Sequence, residues 1–199
     1  NLNKNDTKYK ITNFLNPKYV YFKIEDNDKI LVKENDKVLL GQKIIDRNYF
    51  IHSSVSGKFI GIEEKLDSSN NLVKFIKIEN DFQEKNSFNI PIVNNKTEFI
   101  ELLKDNGIIG LGGAGFPAYL KYDADIKTLI VNAVECESYL TTDYITCFNH
   151  IKEIVKVLLK IKELFFLEEI IIAIKIGNRN LLEKIIPAIS KYDFINVVE

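Results

Sequence analysis

The first part of the chain has the short-period pattern of a small β domain. Residues 19–24 and 74–78 alternate apolar with polar positions or are rich in β-branched and aromatic residues, and clusters of Asn, Asp and Ser bound them. Segments 35–44 and 52–63 read as further short strands separated by polar turns. This spacing predicts a small β sandwich or barrel over residues 19–80.

From residue 95 onward, several segments have apolar residues at the spacing of an α-helix. Asn95 is placed to cap a helix, with Glu98 three residues later, and Gly107 stands where the helix should stop. His150 is expected at the start of a later helix. The series that follows the first helix alternates strands with apolar-faced helices: strand 127–131, helix 151–159, strand 169–174, helix 181–189 and strand 194–198. Such a series predicts a parallel sheet covered on both faces.

The fold class is therefore α/β with an N-terminal all-β domain. Residues 81–94 are polar with little periodicity and are predicted to form a linker. We expect a β domain over 1–80, the linker over 81–94 and an α/β domain over 95–199.

Composition excludes several classes of protein. Lys+Arg 27 against Asp+Glu 28 leaves a net charge of -1, without the basic surplus of a nucleic-acid-binding protein. No apolar run approaches the ~20 residues of a membrane span. Cys136 and Cys147 are too few for a disulfide framework or a four-thiolate cluster, and their spacing fits no zinc motif. We expect two free thiols and no metal site.

The ends of the sequence suggest a fragment. The chain has no methionine, and residues 194–199 read like the middle of a strand. We interpret it as cut on its C-terminal side.

Residues 110–117, here called the glycine loop, carry the sharpest local signal. Bare Cα atoms let a backbone approach a ligand closely and offer N–H groups to an anion. The run formally matches G-x-G-x-x-G, but a predicted helix precedes it and Phe-Pro follows, which makes it a poor dinucleotide fingerprint. The alternative is a flexible connection from helix to sheet. Lys121 is either a surface lysine or a partner for a phosphate or an electron-rich ring.

Residues 132–139, here called the acidic segment, form the second candidate site. They follow a predicted buried strand directly, and ligand sites in open α/β sheets lie at the carboxyl ends of strands. Asn132 can donate to and accept from a ring edge, while Glu135 and Glu137 flank a thiol. The alternative is a polar loop with solvated charges.

Together the two segments resemble the flavin-site motifs of the RnfC family. The matching stretches are Gly-Ile-Ile-Gly-Leu-Gly-Gly-Ala-Gly-Phe-Pro at 107–117 and Leu-Ile-Val-Asn-Ala-Val-Glu-Cys-Glu at 129–137. RnfC is a subunit of the Rnf ion-translocating electron-transport complex, and a relative is the flavin- and NADH-binding subunit of respiratory complex I. Residues 33–63 are similar to the family's N-terminal domain, a lipoyl-like barrel-sandwich hybrid, through Asn-Asp-Lys-Val, Gly-Gln-Lys-Ile and His-Ser-Ser-Val-Ser-Gly.

The resemblance implies a cofactor site for FMN and NAD(H). Lys121 would lie near the flavin or its phosphate, Asn132 and Glu135 would touch the isoalloxazine edge, and Glu137 would face the nicotinamide. Ser138 stands where the family usually has proline. No catalytic side chain is expected, because hydride transfer to a flavin needs no acid or base from the protein. The loop residues that would wrap FMN are Gly110, Gly112, Gly113, Ala114, Gly115 and Phe116, with Gly113 and Gly115 the least tolerant of a Cβ.

The implied function is that of an electron-transport subunit, an NADH:acceptor oxidoreductase component of a membrane Rnf-type complex. Electrons would pass between NADH and FMN and on to 4Fe-4S clusters located beyond Glu199. A later segment of the family's flavin site would also lie beyond Glu199, so these 199 residues alone are expected to be colourless and inactive. Its partners would be other subunits of the complex, with the chain peripheral at the cytoplasmic face of the cell membrane. Two alternatives stay open: a soluble electron-transfer adaptor for an amino-acid reductase, or a docking module with a decayed flavin site.

A carrier role like that of lipoyl domains is not expected. The hairpin tip at residues 46–50 contains no lysine to modify. His52 is interpreted as a hydrogen-bonded turn residue and not as a ligand.

Overall fold

The computed structural model describes residues 11–12, 16–89, 91–111, 114–135, 137 and 139–199. Within that part the chain divides into two compact units. One covers residues up to 123, and the other covers 124–199 together with residues 11 and 12. Each unit is described by itself below.

The first unit opens with seven strands. Two antiparallel sheets are formed, with strand orders β1-β7-β6-β3 and β2-β4-β5. The strands are β1 Tyr19–Lys23, β2 Lys29–Ile30, β3 Lys37–Val38, β4 Lys43–Asp46, β5 Phe50–His52, β6 Gly57–Leu66 and β7 Leu72–Asn80. The all-β domain predicted from the alternating pattern is confirmed, while its likeness to lipoyl domains stays a prediction.

One hydrophobic core lies within this β domain. In β7, Ile76 and Ile78 are fully buried, because alternate residues of a strand point to the same face. The other buried members come from four further segments of the domain, and they are Val32, Val38, Ile44, Ile45 and Phe59.

The serine-rich turn before β6 is structural. The Ser53 hydroxyl donates to the carbonyl of Val55 at 2.6 Å, and the Ser56 hydroxyl donates to the carboxylate of Asp81 at 2.6 Å. Both serines are buried, so these bonds compensate the loss of water. The turn and the start of the predicted linker are thereby tied together.

The first part of the predicted linker packs on the β domain. The amide of Leu40 donates to the carbonyl of Lys85 at 2.8 Å, and the amide of Ser87 donates to the carbonyl of Leu40 at 3.0 Å. Leu40 and Asn86 form a short parallel bridge. These backbone bonds hold residues 85–87 against the end of β3.

The first helix begins where its capping signal predicts. Helix α1 spans Lys96–Asp105, and the Asn95 side chain accepts from the amide of Glu98 at 2.9 Å. The Glu98 carboxylate reaches back to the amide of Asn94 at 2.8 Å. Helix α2, Ala118–Tyr122, follows the glycine loop and ends this unit.

The second unit contains the predicted βαβ series. Its elements are β8 Thr128–Ala133, α3 Thr142–Phe165, β9 Glu169–Ile174, α4 Arg179–Ile189 and β10 Ile195–Val198. The three strands are parallel in the order β10-β9-β8. The parallel sheet is confirmed.

Coverage of this sheet on both faces was a wrong prediction for the described residues. The strand order advances in one direction, so right-handed crossovers put α3 and α4 on the same face, where the two helices pack together. Alternate residues of β9 are buried against them, whereas Ile130 on the other face of β8 is 64% exposed.

Helix α3 also differs in detail from the prediction. It begins at Thr142, so His150 lies inside it and not at its start. His150 has φ −122 and ψ 22, which marks a kink between two helical stretches. Among the described residues, no helix combines the length and the apolar character needed to cross a membrane.

Candidate functional site

The glycine loop is closed at its base by backbone pairing. Ile109 and Pro117 form an antiparallel bridge, and the amide of Gly110 donates to the carbonyl of Phe116 at 2.8 Å. The amide of Ala118 donates to the carbonyl of Ile108 at 2.9 Å. The pair Gly110 and Phe116 is here called the loop neck. Because its N–H is used in the neck, Gly110 does not supply an anion donor.

The described part of the loop is open to solvent. Leu111 is 92% exposed, and Ala114 and Phe116 are exposed as well. Gly115 has φ +59, and a Cβ built on it would meet no heavy atom of the described residues within 4 Å, its chain neighbours aside. This backbone therefore needs glycine for its conformation and leaves free space beside the Cα atom. Gly112 and Gly113 lie outside the described residues.

Lys121 is brought to the loop neck by the short helix α2. Its Nζ lies 3.9 Å from the position that a Cβ on Gly110 would take. The same ammonium lies 5.7 Å from the centroid of the Phe116 ring. A cation and an exposed aromatic ring thus stand together at the neck.

In the second unit, Asn132 belongs to the sheet and not to the loop after it. Strand β8 runs through Ala133, so Asn132 is its penultimate residue and lies on the face that α3 and α4 leave open. Its Oδ1 accepts from the amide of Val134 at 3.0 Å. This small turn redirects the chain at the carboxyl end of β8, where the acidic segment was predicted to lie.

Glu135 has a structural partner that the sequence did not reveal. Its Oε1 accepts from the amide of Thr142 at 2.9 Å and, more weakly, from that of Asp143 at 3.4 Å. The N-cap residue Thr141 makes no side-chain cap of its own. The Glu135 carboxylate therefore caps α3 from outside the helix, where negative charge is favourable. Glu137 is exposed, while Cys136 and Ser138 lie outside the described residues.

The buried cysteine is a member of the helix core. Cys147 is a free thiol in α3 and is 7% exposed. Burial, and secondarily the carboxylate of Asp143, raise the pKa of the thiol. A protonated thiol packed in this way is a poor nucleophile and metal ligand.

The structure groups the predicted site residues in two sets. Gly110, Phe116 and Lys121 meet at the loop neck in the first unit, with Ala114 and Gly115 in the same loop. Asn132, Glu135 and Glu137 follow one another at the end of β8 in the second unit.

The residues present fit a flavin phosphate or ring at the glycine loop. The free space at Gly115 is one that a Cβ would fill, and Lys121 supplies a positive charge at the neck. Exposed aromatic and aliphatic side chains of the loop, Phe116 and Leu111, offer apolar surface to a planar ring.

Two family models match the chain in succession. The RnfC barrel sandwich hybrid domain matches residues 3–83, and the Nuo51 FMN-binding domain matches residues 103–199. The second match contains both the glycine loop and the acidic segment.

Three curated relatives are subunits of oxidoreductase complexes. The relative from Acetobacterium woodii, of the Na(+)-translocating ferredoxin:NAD(+) oxidoreductase complex, is 29% identical over 172 residues, which cover 80% of this chain and 39% of the relative. The relative from Buchnera aphidicola, of the ion-translocating oxidoreductase complex, is 38% identical over 138 residues, or 64% of this chain and 29% of the relative. The relative from Clostridium ljungdahlii, of the proton-translocating ferredoxin:NAD(+) oxidoreductase complex, is 32% identical over 127 residues, or 57% and 28%.

The chain thus spans well under half the length of these relatives. With an RnfC barrel sandwich hybrid domain followed by a Nuo51 FMN-binding domain, the chain belongs to the RnfC family.

Proposed function

We propose that the chain forms part of the FMN site of an electron-transport subunit that accepts electrons from, or returns them to, NAD(H). The observation that carries the proposal is the open glycine loop with Lys121 at its neck, inside the region that matches an FMN-binding domain. FMN itself would supply the chemistry, exchanging a hydride with the nicotinamide and releasing electrons singly.

The chain's own residues bind and orient the cofactor. Gly115 leaves room for close approach of the cofactor to the backbone, and Lys121 would offset part of the negative charge of its phosphate. Asn132, at the end of β8, and Glu135 are assigned to the edge of the flavin ring. Glu137 is exposed and is assigned to the nicotinamide side.

The wider role follows the names of the relatives. We infer that the whole protein is a subunit of an ion-translocating oxidoreductase complex, peripheral at the cytoplasmic face of the cell membrane, with other subunits as its partners. The 4Fe-4S clusters that would take electrons from FMN need more thiolates than Cys136 and Cys147 provide. They are assigned to sequence outside these 199 residues.

The test uses the protein expressed from its complete reading frame. Its absorption spectrum should show flavin bands, the extracted cofactor should be FMN, and anaerobic NADH should bleach the bands. A protein that retains no extractable FMN after incubation with excess FMN and removal of the unbound cofactor would refute flavin binding and favour the docking module. Bleaching by another donor but not by NADH would refute the assignment of NAD(H).

Substitution of the two glutamates of the acidic segment should have different effects. Glu137→Gln should lower kcat/KM for NADH oxidation with an artificial acceptor by roughly tenfold, and should change stability by less than about 0.5 kcal/mol because the side chain is exposed. Glu135→Gln should weaken the cap of α3 by about 0.5 kcal/mol. It should also alter the affinity for FMN or the reduction potential of the bound flavin.

Each variant is the control for the other, since both remove one charge from the same segment. Flavin content, thermal unfolding and steady-state NADH oxidation are measured side by side. Wild-type turnover in Glu137→Gln would refute its place at the nicotinamide.

A further inference from the structure

The end of helix α1 is held against strand β5 of the β domain. Gly107 follows α1 with φ +60, and a Cβ added there would overlap the carbonyl of Phe50. The same Cβ would lie 3.4 Å from Nδ1 of His52. The backbone of residue 107 therefore touches the backbone of β5 at a point where only glycine fits.

A lysine of the neighbouring strand adds two further contacts. The ammonium of Lys43 in β4 lies 3.1 Å from the Asp105 carboxylate, the last residue of α1. The same ammonium lies 3.8 Å from the centroid of the Phe50 ring. Lys43, Phe50, His52, Asp105 and Gly107 are here called the anchor.

The anchor is continuous with the glycine loop. Gly107 is three residues before the loop neck, and backbone bonds occupy the intervening positions. The amide of Ile108 donates to the carbonyl of Leu103 at 2.9 Å, and its own carbonyl accepts from Ala118 at 2.9 Å. A displacement of Gly107 from β5 would therefore shift both sides of the neck, Gly110 and Phe116.

We infer that the β domain positions the FMN site through the anchor, with Lys43 and His52 as positioning residues that hold the neck of the glycine loop in its binding geometry. This inference rests on the proposed FMN site and adds to it a role for the barrel sandwich domain. Neither residue touches the cofactor; both act through Gly107 and Asp105.

Protonation of His52 should release the anchor. Burial lowers the pKa of the imidazole, and the nearby ammonium of Lys43 lowers it further, while bonds to the backbone of Asp105 and Phe50 and the carboxylate of Asp105 oppose the shift. Because the pKa of His52 lies below its usual 6.5 when Gly107 is packed against β5, this packing is favoured at higher pH, where the imidazole is neutral. The stabilisation is present above pH 6.5 and is lost as the pH falls through the lowered pKa.

The experiment compares two positioning variants with two controls in the protein from its complete reading frame. Lys43→Met is matched by Lys29→Met, an exposed lysine of β2 in the same sheet. His52→Gln is matched by His150→Gln, since the chain has only 2 histidines. Gly107 is left intact, because a side chain there would disturb folding itself.

Two readouts are taken. Hydrogen exchange reports the amides of Ile108, Gly110 and Ala118, and fluorescence titration reports FMN affinity between pH 5.5 and 7.5, chosen as about one unit on either side of the ordinary histidine pKa. Lys43→Met should speed exchange at these amides and weaken FMN binding by roughly tenfold, through loss of the ion pair and the cation–π contact. His52→Gln should remove the decline in affinity on acidification, and both controls should match the wild type.

The possible failures are distinguishable. Unchanged exchange at the three amides in Lys43→Met, or an unaltered pH profile in His52→Gln, would overturn the anchor whether or not FMN binds. Accelerated exchange in a protein that takes no FMN would support the anchor and refute only the proposed cofactor.

Discussion

Gly115→Asn is expected to abolish most FMN binding while leaving the fold intact. Asparagine tolerates the left-handed backbone of Gly115, where φ is +59, better than other residues with a Cβ do. Apart from its chain neighbours, none of the described residues has a heavy atom within 4 Å of the new Cβ, so they have no steric conflict with it. A bound cofactor that approaches the bare Cα atom would meet the added side chain. We expect FMN affinity to fall by roughly 100-fold, which is about 2.7 kcal/mol.

Gly177→Asn supplies the matched control for stability. Gly177 also has a positive φ, +87, and also has open space at the Cβ position. Thermal unfolding of the two apoproteins should therefore respond alike, by about 1 kcal/mol or less. FMN titration of Gly115→Asn then reports the cofactor contact. Wild-type affinity in that variant would remove the glycine loop from the flavin site.

Local signals in the sequence predicted most of the regular structure. Asn95 and Glu98 are sufficient to place the start of α1, because a capping box acts within one turn. The run at 169–174 gives β9 its bounds, since a strand in a parallel sheet is rich in β-branched residues. Both signals depend on residues that are close to one another in the sequence, which is why they could be recognised from the sequence alone.

The prediction that helices cover both faces of the parallel sheet was wrong, because the sequence of β8 is apolar at its centre. Ile130 is apolar although it is 64% exposed, and it stands between Leu129 and Val131, so the centre of β8 reads as buried on both sides. Only the polar residues Thr128 and Asn132 mark the open face, and the strand order shows that both helices lie on one side.

The candidate site was predictable in outline and not in its partners. Lys121 was proposed as a cation near the loop, and the structure places its Nζ at the neck. The helix cap by Glu135 could not be seen, because this residue precedes Thr142 by seven positions, beyond the reach of an ordinary N-cap motif. Gly107 packs against Phe50 of β5, and the two residues are more than fifty positions apart. A local sequence pattern cannot predict such a contact.

The hairpin tip at residues 46–50 gives the clearest case of a long-range partner. Arg47 Nε and a terminal guanidinium nitrogen lie 2.7 Å from the two carboxylate oxygens of Asp28, and a third contact reaches Glu25 at 3.0 Å. The Asp28 side chain is 0% exposed and that of Arg47 is 17% exposed. This bidentate pair fixes the tip to the segment before β2.

Arg47→Met is expected to destabilise the β domain by about 3 kcal/mol, because it leaves the Asp28 carboxylate buried without its cation. Lys160→Met, which removes one partner of the exposed pair between Lys160 and Glu163, should cost about 0.5 kcal/mol or less. Adding Asp28→Asn to Arg47→Met should recover part of the loss, since the unpaired charge is then gone. Chemical denaturation at pH 7 measures all four proteins.

The pH dependence of the same proteins tests the cause. Arg47 holds the pKa of the Asp28 carboxyl below its ordinary 3.8, so the pair stabilises the folded state above that pH and is lost as the pH falls through the lowered pKa. Arg47→Met should therefore lose less stability than the wild type between pH 5 and pH 3, a window of about one unit on either side of that value. Parallel acid profiles for the two proteins, or an equal loss in Lys160→Met, would show that the buried pair does not secure the hairpin.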